Sequence, residues 1–237
     1  MKLTKIIKTS LLAMSILALV ACGGAPDYVE TADRNDVVMV GDSIFDLSGD
    51  LPRFLEAKAG ATFRDYTISG AEISGGSLAR AINLQYADAN AFNGDIATVV
   101  MDGGGNDILI PATLGDFYGC RTQWYRKNIS SRCVNLIDNV YVDTVNLLNT
   151  MDADGVQNVV YLGYYELPRG NANLGKALTY GVDRLGEACA NSNANCDFVD
   201  PRGHIPANYV LDDDIHPTAE GSQVLADLIW PSLQGLL

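Results

Sequence analysis

The sequence predicts one α/β domain built on a parallel sheet of about five strands, with helices on both faces. Short apolar runs, Val37–Val40, Ile96–Met101 and Asn158–Leu162 among them, alternate with longer stretches of helical periodicity, the order that βαβ units produce. The runs are apolar at nearly every position, as strands covered on both faces must be. The chain has 237 residues with no internal repeat, low-complexity tract or second boundary, which suits a single domain with a full core.

Taken in order, the first strand passes through Val37–Val40 and stops at Gly41-Asp42-Ser43. Ser43 thereby sits at the carboxyl end of a strand, where open α/β sheets place their ligands. Pro52, tolerated in a first turn, opens a helix that reaches Ala59. The second strand is predicted over 61–68, ending at Ser69-Gly70 and the glycine-rich Ile73-Ser74-Gly75-Gly76. Leu78, Ile82 and Tyr86 share one face of a helix predicted over 77–90. The third strand, Ile96–Met101, ends at Asp102-Gly103-Gly104-Gly105-Asn106-Asp107. From Leu109 to Cys133 the pattern is irregular, with Pro111 and the aromatic residues Phe117, Tyr118, Trp124 and Tyr125; a pinned loop or short helices are expected. Val134, Ile137, Tyr141, Val145 and Leu148 make the stripe of a long helix that Gly155 caps. The fourth strand is Asn158–Leu162, followed by a helix over 174–191 and a short strand at Asp197–Val199. A loop carries both histidines, and the last helix begins near Pro217.

Ahead of this lies a leader. Lys2, Lys5 and Lys8 precede the apolar run Leu11–Val20, closed by Ala21 and Cys22, the layout of a secretory signal and too short to span as a stable helix. The ending Leu19-Val20-Ala21-Cys22-Gly23 resembles a bacterial lipobox, which implies cleavage before Cys22 and lipid on its sulfur. Gly23, rather than aspartate, after that cysteine implies transport to the outer membrane. The expected organisation is a lipoprotein signal peptide over 1–21, a lipidated Cys22 with a flexible tether over 22–35, and a folded domain over 36–237. The leader holds three lysines and no acid, so its removal takes the net charge from −13 to −16. That acidity argues against nucleic acid and against anionic headgroups as electrostatic partners. Membrane contact is expected through the lipid instead. The remaining Cys120, Cys133, Cys189 and Cys196 allow three pairings; Cys120–Cys133 with Cys189–Cys196 closes short loops and is the expected one. They lack the CxxC spacing or neighbouring histidine of a zinc site, and no metal or other cofactor is expected.

With two histidines, a serine hydrolase has at most two choices of base. His216 stands in Asp213-Asp214-Ile215-His216-Pro217, where an acid three residues upstream folds back to hold the imidazole in one tautomer. Asp213 has that spacing, with Asp214 as fallback; His204 lacks such an arrangement. Acyl transfer also needs donors where the oxyanion develops. The strand ends offer the Ser43 amide, the Gly70 amide and the Asn106 side chain. Neither a GxGxxG turn, a lysine-bearing P-loop nor a GxSxG elbow is present.

Gly41-Asp42-Ser43, Ile68-Ser69-Gly70, Gly104-Gly105-Asn106-Asp107 and Asp213-Asp214-Ile215-His216-Pro217, in that order, resemble the four blocks of the SGNH (GDSL-type) hydrolase family. The blocks span nearly the whole mature chain. Ile44 stands where the family's name-giving motif has leucine, and no asparagine precedes Gly70. The resemblance implies a flavodoxin-like three-layer α/β/α fold and metal-free hydrolysis of esters or thioesters. Ser43 would be the nucleophile, His216 the base and Asp213 its orienter, with Ser43, Gly70 and Asn106 forming the oxyanion hole. The expected protein is a monomeric, lipid-anchored ester hydrolase of a bacterial cell envelope, acting on a lipid, sugar or other small ester. Phe117, Tyr118, Trp124 and Tyr125, with Tyr164 and Tyr165, are expected either to line an acyl or aryl pocket, with Glu166 and Arg169 at its mouth, or to belong to the core. A carbohydrate O-acetyl esterase or a thioesterase is the alternative, and a catalytically silent ligand-binding lipoprotein the remote one.

Overall fold

Five parallel strands, β1 (Arg34–Val40), β2 (Phe63–Asp65), β3 (Thr98–Met101), β4 (Asn158–Leu162) and β5 (Cys196–Val199), form one sheet in the order β2-β1-β3-β4-β5. The helices are α1 (Ser43–Asp46), α2 (Asp50–Ala59), α3 (Ile82–Phe92), α4 (Gly105–Leu114), α5 (Ser131–Ala153), α6 (Ala172–Asn191) and α7 (Ala219–Leu233). This computed structural model describes residues 27–76, 78–169 and 172–237. The expected signal peptide, Cys22 and the first part of the tether lie outside the described residues.

Every central strand buries both faces. Val38, Val40, Val99, Met101, Val159 and Tyr161 pack with residues of α3, α5 and α6. The alternate residues Val37, Met39, Val100, Val160 and Leu162 pack with α2 and α7. Period-two alternation between two apolar layers explains why the strands read as unbroken apolar runs. At about 1.5–3 kcal/mol for each fully buried large side chain, these two layers are the main source of stability.

The strand order locates the site. From β1 the chain crosses to β2 on one side, and from β3 it proceeds to β4 and β5 on the other. The reversal opens a crevice beyond the carboxyl ends of β1 and β3, the usual ligand position in such sheets. Ser43 follows β1 and Asn106 follows β3.

Several elements differ from the expected ones. The fold takes up the chain before residue 36: Val29 pairs with Asp65, Tyr28 packs on Tyr66 with ring centroids 4.5 Å apart, and β1 begins at Arg34. The folded region therefore begins ahead of the expected residue 36, by Tyr28. The second strand shrinks because the Asp65 carboxylate accepts from the Thr67 amide at 2.9 Å, a local turn that competes with the ladder. α3 starts five residues late, after left-handed Gly75 and Gly76, and its first amides bond the Glu72 and Ile73 carbonyls. α4 realises the short-helix alternative and starts earlier, at Gly105, although Pro111 lies inside it and removes an interior hydrogen bond. Packing of Ile108, Leu109 and Ala112 against Cys133, Leu174 and Leu178 outweighs that loss. In α5 the buried face runs through Cys133, Ile137, Val140, Thr144 and Leu147, whereas Val134, Tyr141 and Val145 are half-buried. The disulfides are Cys120–Cys133 and Cys189–Cys196, as expected. Among the described residues no helix is long and apolar enough to cross a membrane.

Candidate active site

β1 ends in a turn held from below by buried polar side chains. Gln85 of α3 accepts from the Gly41 amide at 2.8 Å and donates to the Gly41 carbonyl at 3.0 Å. Asp102, at the end of β3, accepts from the Asp42 amide at 2.7 Å. A Cβ on residue 41 would stand 1.9 Å from the Asp102 Oδ1, so close approach makes glycine necessary here. The Asp42 carboxylate caps α1 through the Ile44 amide at 3.1 Å and accepts from the Tyr164 hydroxyl at 2.6 Å. Burial first, then the Asp42 carboxylate, pushes the Tyr164 phenol up and keeps it a donor. The same two causes, in that order, raise the Asp102 carboxyl well above its ordinary value. Ser43 stands on this frame as the first residue of α1.

His216 reaches it from the far end of the chain. Its Nε2 lies 2.8 Å from the Ser43 Oγ, and its Nδ1 lies 2.7 Å from the Asp213 Oδ2. The other Asp213 oxygen accepts from the amides of Ile215 at 2.9 Å and His216 at 3.0 Å. Burial pulls the Asp213 carboxyl upward, but the bonds from the imidazole and the two amides prevail and hold it at about 2. A pKa depressed in this way adds stability above the ordinary carboxylate value and loses it as pH falls toward 2. The loop is clamped on both flanks: Tyr165 donates to the Ile215 carbonyl, and Arg169 pairs with Asp214 and donates to the Leu211 carbonyl at 2.9 Å. Arg169 is thus a brace for the histidine loop rather than a mouth residue. Glu166 likewise accepts from the Gly203 amide at 3.0 Å.

The remaining strand ends converge on the serine. Ser69 donates its amide to Asp46 of α1 at 2.7 Å, and Asn106 donates its side-chain amide to the Ala71 carbonyl at 3.0 Å. Gly70, left-handed at φ 83°, is held between these two ties. Among the described residues, the Ser43 and Gly70 amides have no protein acceptor. Asn106 has one N–H beyond the bond to Ala71. Asp107, the next residue, accepts from the Ile73 amide at 3.0 Å. Burial pushes its carboxyl up to about 7.

A raised carboxyl binds its proton more tightly in the folded than in the unfolded chain. Stability should therefore fall as pH rises from about 4 to about 7 and then level off, by ~4 kcal/mol at most. Asp107→Asn keeps an acceptor for Ile73 without titrating. The thermal-midpoint gap between Asp107→Asn and the unsubstituted protein is expected to change only within that window. A gap constant from pH 4 to 8 contradicts the assignment.

The depression beside Ser43 is lined by Ile44, Asn106, Leu109, Tyr164, Tyr165, Leu167, Leu178 and Ile215, so it is largely apolar. Phe117, Tyr118, Trp124 and Tyr125 are not part of it; they stand exposed on the loop after α4. His204 is exposed in a turn closed on the Pro201 carbonyl and has no bond to Ser43. Asp212, Asp213 and Asp214 diverge: the first is open to solvent, the second serves His216 and the third serves Arg169. Sequence reading missed Gln85 and Asp102; the signal for Asp102 was a carboxylate at a strand's end, and for Gln85 a polar residue on the apolar face of a helix.

Residues 39–224 match the model of the GDSL-like lipase/acylhydrolase family. No curated protein sequence matches. Among solved structures, a lipase from a goat rumen metagenome superposes with a TM-score of 0.61 at 14% identity, covering 83% of this chain and 96% of its own. A variant of an acetyl xylan esterase from Geobacillus stearothermophilus gives 0.60 at 14% identity, covering 83% and 93%. A carbohydrate esterase family 3 protein from Talaromyces cellulolyticus gives 0.59 at 17% identity, covering 84% and 96%. At such identities the likeness establishes the three-layer α/β fold.

Proposed function

As the chain belongs to the GDSL-like lipase/acylhydrolase family and is an ester-bond hydrolase, we propose that it cleaves carboxylic esters by acyl transfer through Ser43. The observation that carries this reading is the continuous relay from the Ser43 Oγ to the His216 Nε2 at 2.8 Å and from its Nδ1 to Asp213 at 2.7 Å. In the first half-reaction the Ser43 oxygen bonds to the ester carbonyl carbon while His216 takes its proton. His216 then returns that proton to the departing alkoxide as the C–O bond breaks, leaving an acyl-serine. In the second half water adds to the acyl-serine, His216 again takes and returns the proton, and the carboxylic acid leaves. Asp213 fixes the imidazole and stabilises the imidazolium formed in each half. The Ser43 and Gly70 amides and the second N–H of Asn106 stabilise the tetrahedral oxyanion.

The apolar lining from Leu109, Leu167, Leu178 and Ile215 favours an acyl chain over a polar group in the depression. The two carbohydrate esterases among the solved relatives support an O-acetyl esterase as the second reading. Lipidation at Cys22 after removal of residues 1–21, with anchoring in the cell envelope and at the outer membrane, completes the proposal; it rests on the lipobox-like Leu19–Gly23 stretch. Turnover of p-nitrophenyl esters from acetate to dodecanoate separates the readings. The acyl reading expects kcat/KM to rise about tenfold or more between acetate and a medium-chain ester, since each buried methylene is worth ~0.8 kcal/mol. A profile that peaks at acetate and collapses at butyrate replaces it with the O-acetyl reading. Activity confined to thioesters replaces both.

A further inference from the structure

The overall acidity of the chain conceals a local reversal. Between Phe117 and Arg132 stand four basic residues, Arg121, Arg126, Lys127 and Arg132, and no acid, in a chain with 16 basic and 29 acidic side chains. The same stretch carries aromatics turned to solvent: Trp124 is 92% exposed, Tyr125 66% and Phe117 64%. With Leu114 and Tyr118 they make five of the eleven exposed large hydrophobic residues among those described. Such concentration on one loop is what interaction surfaces show and monomer surfaces seldom do.

The loop is braced in this posture. Cys120 is bonded to Cys133, and Arg126 pairs with Asp116. The Ser130 amide donates to the Gly119 carbonyl at 3.1 Å. Gln123 and Arg126 close a tight turn with Trp124 and Tyr125 at its tip, their rings edge-to-face at 5.4 Å. Arg121, Lys127 and Arg132 have no ion-pair partner among the described residues. Rigid aromatic tips beside unpaired cations match one kind of surface: an apolar layer behind a sheet of negative charge.

We propose that this loop docks the protein on a bilayer bearing anionic phospholipid headgroups. Trp124 and Tyr125 enter the headgroup zone, where an amphipathic ring is best placed, and Arg121, Lys127 and Arg132 meet the phosphates. Average charge argued against anionic headgroups; here the local sign decides, since at physiological salt a surface feels charges only within about 8 Å. The loop leaves the end of α4, whose other end carries Asn106. One ten-residue helix, about 15 Å long, therefore joins the start of the docking loop to the site. The proposal is independent of the ester chemistry, so a Ser43→Ala chain must dock equally well.

The test uses the mature chain from residue 22 carrying Cys22→Ser, which leaves neither leader nor lipid to mask the loop. It is mixed with phosphatidylcholine vesicles with or without phosphatidylglycerol. Co-sedimentation and a blue shift of Trp124 emission are expected only with phosphatidylglycerol, weakening about tenfold or more when salt rises from ~0.05 to ~0.5 M. Trp124→Ala/Tyr125→Ala should abolish both, and Arg121→Gln/Lys127→Gln/Arg132→Gln should weaken sedimentation about tenfold or more, with p-nitrophenyl ester turnover unchanged in each. Equal binding to both vesicles, no binding to either, or retardation by a neutral polysaccharide gel in place of vesicle binding overturns the proposal.

Discussion

Ser43→Ala and His216→Ala are each expected to lower ester turnover ~10³-fold or more, and the double variant no further than the worse single one. Residues that work as one unit lose their contribution together, and the 2.8 Å contact makes this pair such a unit. The effect should fall on kcat, because neither side chain is needed to fill the apolar depression. Circular dichroism and the thermal midpoint should be near those of the unsubstituted protein, since Ser43 and His216 are only partly buried. Burst kinetics with a p-nitrophenyl ester provide the check: the burst of acyl-serine formation should vanish in both variants. Losses that multiply in the double variant, or a surviving burst in Ser43→Ala, would place the nucleophile elsewhere.

Gly41→Ala should be nearly as damaging without touching a reacting atom. Its added methyl would lie 1.9 Å from the Asp102 Oδ1, and Asp102 is fully buried and bonded to the Asp42 amide at 2.7 Å. Neither side of that contact is a flexible end able to swing away. We expect a loss of ~3 kcal/mol or more in stability and ~10²-fold or more in turnover, because the turn carrying Ser43 must shift. Adding Asp102→Ala removes the opposing atoms while leaving the Asp42 amide unpaired. The double variant should therefore recover part of the stability lost in Gly41→Ala, a coupling read by urea denaturation. A Gly41→Ala protein as stable as the original, or a double variant no better than the single, removes close packing as the reason for glycine at this position.

The contrast between these two predictions marks what the sequence discloses. The convergence of Ser43, Gly70, Asn106, Asp213 and His216 was legible because these residues stand at strand ends and in turns, in short blocks whose order can be read without any fold. Strand β4, Asn158–Leu162, was read to the residue, since a strand buried on both faces shows an unbroken apolar run. The frame beneath the serine was not legible. Gln85 sits on the buried face of α3, a polar residue where periodicity predicts an apolar one, and its partner is a backbone 44 positions away. The choice between loop and helix at α4 stayed open, because Pro111 and the preceding glycines speak locally for a loop while distant packing holds a helix. The aromatics after α4 were misplaced for a related reason: sequence shows that a ring is apolar, and only the fold shows which way it faces.

Ser43 and His216 stand 173 positions apart in the chain, and the histidine loop leads into the last helix. α7 in turn is tied to the early part of the domain, with Lys58 and Asp227 paired at 2.6 Å and Arg34 donating to the Leu237 carbonyl at 2.5 Å. A nascent chain thus acquires Ser43 long before His216. The two meet only when the C-terminal segment folds back across nearly the whole domain, a closure that comes late because the loop it shuts is long. The order of synthesis is therefore itself a safeguard. Before that closure the Ser43 hydroxyl has no imidazole beside it, so under the proposed mechanism ester turnover begins only once the histidine loop has docked.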